Sequence, residues 1–197
     1  GLIRWRLTWL RGVWLGAVVL LIGSSLVYTA LGTRARIDDR FNVTPATLDG
    51  AAYMKLAVRF EEGQPIELKW DREAIRWLQD NVTGSPVVLE AHNEQYRWNS
   101  RIASYTGLPT VLGWPWHQRQ QRWDYQNEVF DRAAEVREIY DTTDVTRAQG
   151  LLQAYGVKYI VVGELERIYY AQAGVQKFSD MEGDGLIQRV FQNEVVS

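Results

Sequence analysis

The stretch GVWLGAVVLLIGSSLVYTALGT, residues 12–33, contains no charged side chain. An α-helix needs about 20 apolar residues to cross a hydrocarbon core of roughly 30 Å. Trp14 near the beginning of the stretch and Tyr28 near its end are aromatic residues of the kind found at both membrane–water interfaces. The sequence therefore predicts a transmembrane helix with its flank over residues 1–33, in an integral protein of the cell membrane.

A buried core helix and a signal peptide are less favoured for this stretch. A core helix is usually shorter and less evenly apolar, and a signal peptide has a shorter apolar region followed by a small-residue cleavage site. A lone N-terminal anchor stays open. The orientation also stays open, because arginines flank both ends and nearly balance the positive-inside rule. These arginines are Arg4, Arg6 and Arg11 on one side and Arg34, Arg36 and Arg40 on the other.

The composition of the chain excludes several kinds of function. The absence of cysteine excludes disulfides, thiolate catalysis and cysteine-based zinc sites. The net charge is −2, and the part after the first forty residues is acidic, which argues against nucleic acid as a partner. Neither a GxGxxG nor a Walker pattern is present, so a nucleotide cofactor has no support. We therefore expect no cofactor.

The part of the chain after the apolar stretch is predicted to be a juxtamembrane linker at 34–44 and one soluble domain at 45–197. Two short apolar runs, PVVLEA at 86–91 and VKYIVVG at 157–163, predict buried strands. Helices precede and follow them over short loops. This order predicts a small α/β domain with a mixed or parallel sheet, in which these two strands are adjacent.

Hydrophobic periodicity and capping residues place the other elements. Asp71 and Asp144 are predicted helix N-caps, and Gly84, Gly156 and Gly174 are predicted helix ends. Helices are predicted at 47–60, 71–82, 127–140, 145–155 and 164–174, further strands at 109–112 and 185–193, and a loop at 61–65.

Residues 101–123, RIASYTGLPTVLGWPWHQRQQRW, combine tryptophan, arginine, glutamine and histidine. Aromatic faces stack on sugar rings, arginine holds phosphate bidentately, and glutamine and histidine orient a ligand. This set suits a sugar phosphate or a lipid-linked sugar. The alternative is that the tryptophans fill the core or anchor the domain at the membrane interface. The candidate ligand contacts are Arg101, Trp114, Trp116, His117, Gln118, Arg119 and Arg122.

Two further sets of residues, both rich in glutamate, are candidate sites. Glu164 and Glu166 follow the 157–163 run directly, at the strand end where α/β folds bind ligands, although acids in a first helical turn also stabilise the helix dipole with no other role. Glu90, His92 and Glu94 alternate along the chain. They suggest a metal site with His117, but a solvated strand-end loop is the preferred interpretation. No catalytic residue and no metal ligand is assigned.

The soluble part resembles the C-terminal end of the YYY-type multi-pass membrane proteins, a large prokaryotic family named as a domain of unknown function. That family is similar to the C-type glycosyltransferases. The matching segments are TLDGAAYM at 47–54, DREAIRWLQDNVTGSPVVLEA at 71–91, RIASYTGLPTVLGWPWHQRQQR at 101–122, YGVKYIVVGELERIYY at 155–170 and KFSDMEGDGLIQRVFQN at 177–193.

The resemblance implies that the chain is the C-terminal extracytoplasmic accessory domain of a polytopic membrane glycosyltransferase that uses polyprenyl-phosphate sugars. The catalytic acid would lie in an early external loop upstream of Gly1, and residues 101–122 would face the membrane-side cavity. The implied partners are the lipid bilayer, upstream transmembrane helices of the same protein and a polyprenyl-phosphate sugar. A non-enzymatic, membrane-anchored binding or structural module is the alternative, and a transporter-like protein with an external cap is a third hypothesis.

We predict that residues 12–33 insert into a bilayer because they carry no charge and are flanked by aromatic residues. Expressed without detergent, the full chain should sediment with the membranes, whereas a fragment of residues 41–197 should stay soluble. A full chain that is soluble and monodisperse without detergent would contradict this prediction.

Overall fold

The computed structural model describes residues 9–41 and 47–197. The chain divides into two compact units, Gly1–Ala52 and Tyr53–Ser197. The first unit contains one long helix, and the second contains the helix-rich domain with its small sheets.

Helix α1 comprises Trp9–Phe41 and is long and apolar enough to cross a membrane by its length and composition. Its apolar side chains are exposed, so α1 is not buried in the core of the first unit as a core helix of a soluble protein would be. The prediction of one long apolar helix is confirmed. The helix continues beyond residue 33, so most of the predicted linker at 34–44 is helical. Residues 1–8 and the end of the linker lie outside the described residues.

Two hydroxyl groups inside α1 donate to carbonyls of the helix itself. Ser24 Oγ donates to the Leu21 carbonyl at 2.8 Å, and Thr29 Oγ1 donates to the Ser25 carbonyl at 3.1 Å. Hydroxyls bonded in this way do not need water, which suits a helix surrounded by hydrocarbon.

The second unit has two small sheets among seven helices, counted over the described residues. The strands are β1 (Val58–Glu61), β2 (Gln64–Glu67), β3 (Val87–Leu89) and β4 (Val157–Ile160). The helices are α2 (Leu68–Asn81), α3 (Arg101–Thr106), α4 (Pro115–Gln121), α5 (Gln126–Asp141), α6 (Val145–Ala154), α7 (Glu164–Tyr169) and α8 (Gln172–Gly183), with 3-10 turns at Ala52–Lys55 and Trp123–Tyr125.

Strands β3 and β4 pair in parallel, with Val87 opposite Val157 and Leu89 opposite Ile160. The predicted adjacency of the two apolar runs is confirmed. The predicted strand at 109–112 is reduced to a single parallel bridge from Thr110 to the other side of β3. The fold class is therefore confirmed only in its coarse form: one long apolar helix, then a helix-rich domain with a short parallel pair and a separate antiparallel pair.

Tyr140 of α5 joins the helices to this parallel pair. Its buried ring stacks on Tyr170 with ring centroids 4.4 Å apart, and its hydroxyl donates to the Val161 carbonyl at 2.9 Å. Helix α5 and helix α6 agree with their predictions, and the predicted N-cap Asp144 accepts a hydrogen bond from the Arg147 backbone at 3.0 Å.

The predicted helix at 47–60 is wrong. Only a short 3-10 turn forms, and the following residues become β1 of a hairpin. Leu48, Leu56 and Phe60, whose spacing would place them on one face of such a helix, are exposed. Glu62 and Gly63 both have positive φ, at 48° and 80°, which is the geometry of a two-residue hairpin turn, so the predicted loop at 61–65 is also corrected.

Three further boundaries differ from prediction. Asp71 is not an N-cap, because α2 begins at Leu68 and the Asp71 side chain is buried in the first turn. The predicted helix at 164–174 breaks between α7 and α8, and Gly174 lies inside α8 instead of ending a helix. The predicted strand at 185–193 is irregular. The C-terminal residue Ser197 instead lies beside the segment after β4, where Ser197 and Val162 exchange backbone hydrogen bonds of 2.8 and 3.0 Å.

We predict that Gly174→Ala strongly destabilises the domain. A Cβ at this position would collide with the carbonyl oxygens of Tyr140 and Asp141 on α5, so the two helices would have to separate. Overpacking of this kind typically costs about 1–3 kcal/mol. Chemical unfolding of the full chain in detergent would measure the change.

Gly150→Ala is the matched control. Gly150 is also helical, but nothing lies within 4 Å of its Cβ position, so alanine should be neutral or stabilise by up to about 1 kcal/mol. Equal stability of the two variants would contradict the close packing of α5 on α8.

Candidate functional site

Arg101 lies at the centre of a buried charge network. Its Nη atoms donate to the two Glu166 carboxylate oxygens at 3.1 and 3.0 Å. Its Nε lies 2.9 Å from Asp71 Oδ2, an ion pair, and one Nη lies 4.0 Å from Glu90 Oε2. All four side chains are buried, so three carboxylates surround one guanidinium away from water. We name these four residues the Arg101 network.

Glu166 and Asp71 have further partners that fix them. Glu166 accepts hydrogen bonds from the backbone N–H groups of Ala91 and Gly163 at 2.9 and 2.8 Å. Asp71 accepts from the indole N–H of Trp98 at 2.6 Å. Burial by itself raises the pKa of Glu166, but Arg101 and these backbone donors outweigh it and hold that pKa below its ordinary value.

Glu90 is bound differently. It accepts hydrogen bonds from the backbone N–H groups of Ile102 and Ala103, at 2.8 and 2.9 Å, two donors in the first turn of α3 that have no partner within the helix. Burial raises the pKa of Glu90 to about 7, although Arg101 and the two backbone donors oppose the rise. Glu90 therefore changes its charge close to neutral pH.

A cavity of about 370 Å³ lies beside the Arg101 network. We name it the aromatic–arginine cleft, because its lining combines four aromatic rings with three guanidinium groups and two small polar side chains. The lining residues are Arg59, Tyr96, Arg97, Trp98, Asn99, Arg101, Ser104, Tyr105 and Trp114. The cleft is thus built from β1, the loop after β3, α3 and the residue before α4.

Glu61 at the end of β1 fixes the two partly exposed arginines of the cleft. This carboxylate is fully buried and accepts from Arg59 Nε at 2.7 Å and from Arg97 Nη1 at 3.4 Å. The backbone of Trp98 and the hydroxyl of Tyr169 complete its shell at 3.1 and 2.8 Å. Burial raises its pKa, but these donors outweigh burial and lower the pKa of Glu61 overall, so it stays ionised behind the arginines.

Tyr96 has a strained backbone at the edge of the cleft. Its φ is 64°, which is uncommon for a bulky residue, and its carbonyl accepts a hydrogen bond from Arg59 Nη2 at 2.9 Å. Its ring packs against Trp114 and His117 at centroid distances of 5.8 and 5.1 Å, and its hydroxyl lies 3.0 Å from His117 Nε2. Strain of this kind persists where the surroundings force it and is common at binding sites.

The structure separates the candidate residues of the 101–123 block. Arg101 and Trp114 line the cleft, and His117 contacts its edge through Tyr96. Trp116 and Arg119 lie together on α4, with the Arg119 guanidinium 5.3 Å from the Trp116 ring centre.

The other candidates have separate environments. Gln118 is half-buried near Gly113, and Arg122 is exposed. Glu166 belongs to the Arg101 network, and Glu164 is half-buried at the start of α7, where burial and the charge of Asp71 raise its pKa.

The interpretation of Glu90 and His92 as a solvated loop is wrong, because both side chains are buried. They also have different partners: Glu90 bonds to the start of α3, whereas His92 Nε2 lies 2.7 Å from the Ala133 carbonyl. Within residues 9–41 and 47–197, no group of three or more His, Cys, Asp or Glu side chains is arranged to hold a metal ion.

Several cleft residues are not among the candidates that the sequence suggests. The helical periodicity at 47–60 places Arg59 on a helix instead of a strand, and Tyr96, Arg97 and Trp98 lie in a segment without a recognised motif. Two aromatic residues around an arginine, so close to the end of a buried strand, are the signal that could identify this loop.

Comparisons of the chain with known protein families, with curated proteins and with solved structures find no match. The resemblance to the YYY-type membrane proteins therefore stays an expectation from the sequence.

We predict that Glu90 makes the domain less stable as the pH rises from about 5 to about 7. Its pKa is 4.5 ordinarily and about 7 in the fold, so over this window the unfolded chain gives up a proton that the folded chain keeps. The loss is at most about 3 kcal/mol, since one pKa unit corresponds to about 1.4 kcal/mol. Urea unfolding of the full chain in detergent at both pH values would measure it.

Glu90→Gln should flatten this pH dependence relative to the parent, because the amide does not ionise. Glu94→Gln, at an exposed position four residues later, should leave it unchanged. A Glu90→Gln profile parallel to that of the parent would contradict the prediction.

Proposed function

We propose that this chain is the C-terminal, extracytoplasmic accessory domain of a polytopic membrane glycosyltransferase, and that the aromatic–arginine cleft binds the sugar-phosphate part of a lipid-linked donor. The observation that carries the proposal is the cleft itself, in which guanidinium groups and flat aromatic rings line one cavity of about 370 Å³. This volume lies at the small end of the range for ligand sites. The family resemblance supplies the donor class and the location.

The chemistry of the lining supports a phosphorylated sugar. Trp114 is partly exposed and offers a ring surface against which the C–H surface of a sugar can pack, whereas the buried Trp98 forms part of the wall behind it. Arg59 and Arg97 are each more than a third exposed at the side chain, so their remaining N–H groups can reach a ligand. A phosphate has the oxygen geometry that arginine binds best.

Arg101 has a different role in this proposal. Its guanidinium is fully buried, and Asp71, Glu90 and Glu166 surround it, so little of its charge is free for a ligand. It supports the floor of the cleft, whereas Arg59 and Arg97 provide the ligand contacts.

The lining favours binding over catalysis. None of the described residues that line the cleft is a carboxylate or a histidine, so no general acid or base of the usual type faces a bound sugar there. Glu61, the nearest buried acid to both outer arginines, is occupied by four donors.

Binding of a short-chain polyprenyl-phosphate hexose to the full chain in lipid nanodiscs tests the proposal. Arg97→Gln should weaken binding about tenfold, which corresponds to about 1.4 kcal/mol. The domain should stay folded, because Arg59, Trp98 and Tyr169 still donate to Glu61. Arg76→Gln, an exposed arginine on α2 away from the cleft lining, is the matched control and should bind like the parent.

Two results would contradict the proposal: no binding by the parent, or equal binding by Arg97→Gln and the parent. A further titration of the parent uses polyprenyl phosphate without the sugar. If it binds as tightly as the hexose form, the cleft does not recognise the sugar, and the alternative of a non-enzymatic, membrane-anchored binding module is favoured.

A further inference from the structure

Four large aromatic side chains are exposed between the start of α4 and the first turns of α5. They are Trp116, Trp123, Tyr125 and Phe130, with exposed fractions from 49% to 79%. We name them the outer aromatic patch. None of them lines the aromatic–arginine cleft, so the proposed sugar site does not account for their exposure.

Arg119 holds part of the patch in place. Its guanidinium lies 5.3 Å from the ring centre of Trp116 and 4.2 Å from that of Phe130, and one Nη donates to Gln126 at 3.4 Å. Arginine between two rings makes favourable cation–π contacts on both sides. The rings of α4 and α5 are therefore presented in a fixed arrangement.

We propose that the outer aromatic patch inserts into the interfacial layer of the bilayer, an inference that rests on the membrane anchoring by α1 in the proposed function. Tryptophan and tyrosine favour the headgroup level, because their rings are apolar and their N–H and O–H groups need polar partners. A protein partner could cover the same rings, but the short connection between α1 and the second unit favours lipid.

That reason is the short connection to α1. Residues 42–52 separate the end of α1 from the second unit, and eleven residues reach at most about 40 Å when fully extended. The domain therefore stays within reach of any membrane that α1 enters, and this tether favours even weak contacts with lipid.

The charges beside the patch indicate which lipid it needs. Arg119 and Arg122 are close in sequence to Asp124 and Glu128, so the signs nearly balance. Binding should then depend on ring insertion and not on anionic headgroups, and salt should affect it little.

Insertion of the patch would also place the edge of the aromatic–arginine cleft close to the membrane surface. His117 and Trp116 are neighbours on α4, and His117 contacts Tyr96 at the edge of the cleft. With the patch in the interface, this edge lies near the headgroup layer, where the phosphate of a lipid-linked sugar would be found.

The absence of native cysteine allows a direct test with single labelled sites. The full chain is reconstituted in phosphatidylcholine vesicles with an environment-sensitive fluorophore at Asp124→Cys, inside the patch. Asp180→Cys on α8 is exposed and serves as the negative control, and Leu20→Cys in α1 is the positive control. A lipid with a nitroxide near the headgroup, or deeper in the acyl chain, quenches only labels that contact lipid.

We expect shallow quenching and a blue shift at position 124, none at position 180, and deep quenching at position 20. The double variant Trp123→Ser, Tyr125→Ser should reduce quenching at position 124 to the level at position 180, while quenching at position 20 remains.

Three results would overturn the inference, and they differ from one another. No quenching at position 124 with deep quenching at position 20 leaves the anchor intact and rejects the patch. A blue shift at position 124 without quenching means that protein, a second copy or a partner, covers the rings. No quenching at any position rejects the anchor and with it this inference, whereas the sugar-binding experiment reports on the cleft alone.

Discussion

The buried guanidinium of Arg101 is the interaction on which the rest of the domain depends. Taking a cation and three carboxylates out of water is costly unless every charge has a partner, and here Asp71, Glu90 and Glu166 each have one. The network joins the first turn of α2, the residue after β3, the start of α3 and the first turn of α7. These elements cannot move apart without exposing an unpaired buried charge.

The aromatic–arginine cleft depends on this network. Trp98, which forms part of its wall, donates its indole N–H to Asp71, and Arg101 lies at its base. Glu61 repeats the same arrangement nearer the surface, with one buried carboxylate facing Arg59 and Arg97. Two layers of acid–arginine pairing therefore hold the cleft in a fixed arrangement, which would lower the entropy cost of binding the proposed ligand.

Hydrophobic periodicity and capping residues correctly predict several helices and strands. The helix at α6 with its cap Asp144, the amphipathic α5 and the apolar strands β3 and β4 agree with the sequence. The hairpin of β1 and β2 does not, since the start of β1 belongs to the stretch 47–60 with helical periodicity, and the following residues pair across a turn with positive φ. The partners of Arg101 and Glu61 lie 65 and 108 residues away at Glu166 and Tyr169, a separation that no periodicity or spacing reveals.

The separation of the 101–123 block into two parts explains why its composition is so unusual. A single segment meets two demands: Arg101 and Trp114 turn inward to the charge network and the cleft, whereas Trp116 and Trp123 turn outward. Core tryptophans would all be buried, and ligand-binding tryptophans would all face one cavity, so neither role alone accounts for both sets. Helix α4, only seven residues long, separates the inward and outward side chains. Its residue His117 contacts Tyr96, whereas its residues Trp116 and Arg119 pack against each other. A short helix that carries His117 beside the cleft and Trp116 in the outer aromatic patch would connect the proposed ligand site to the proposed membrane contact.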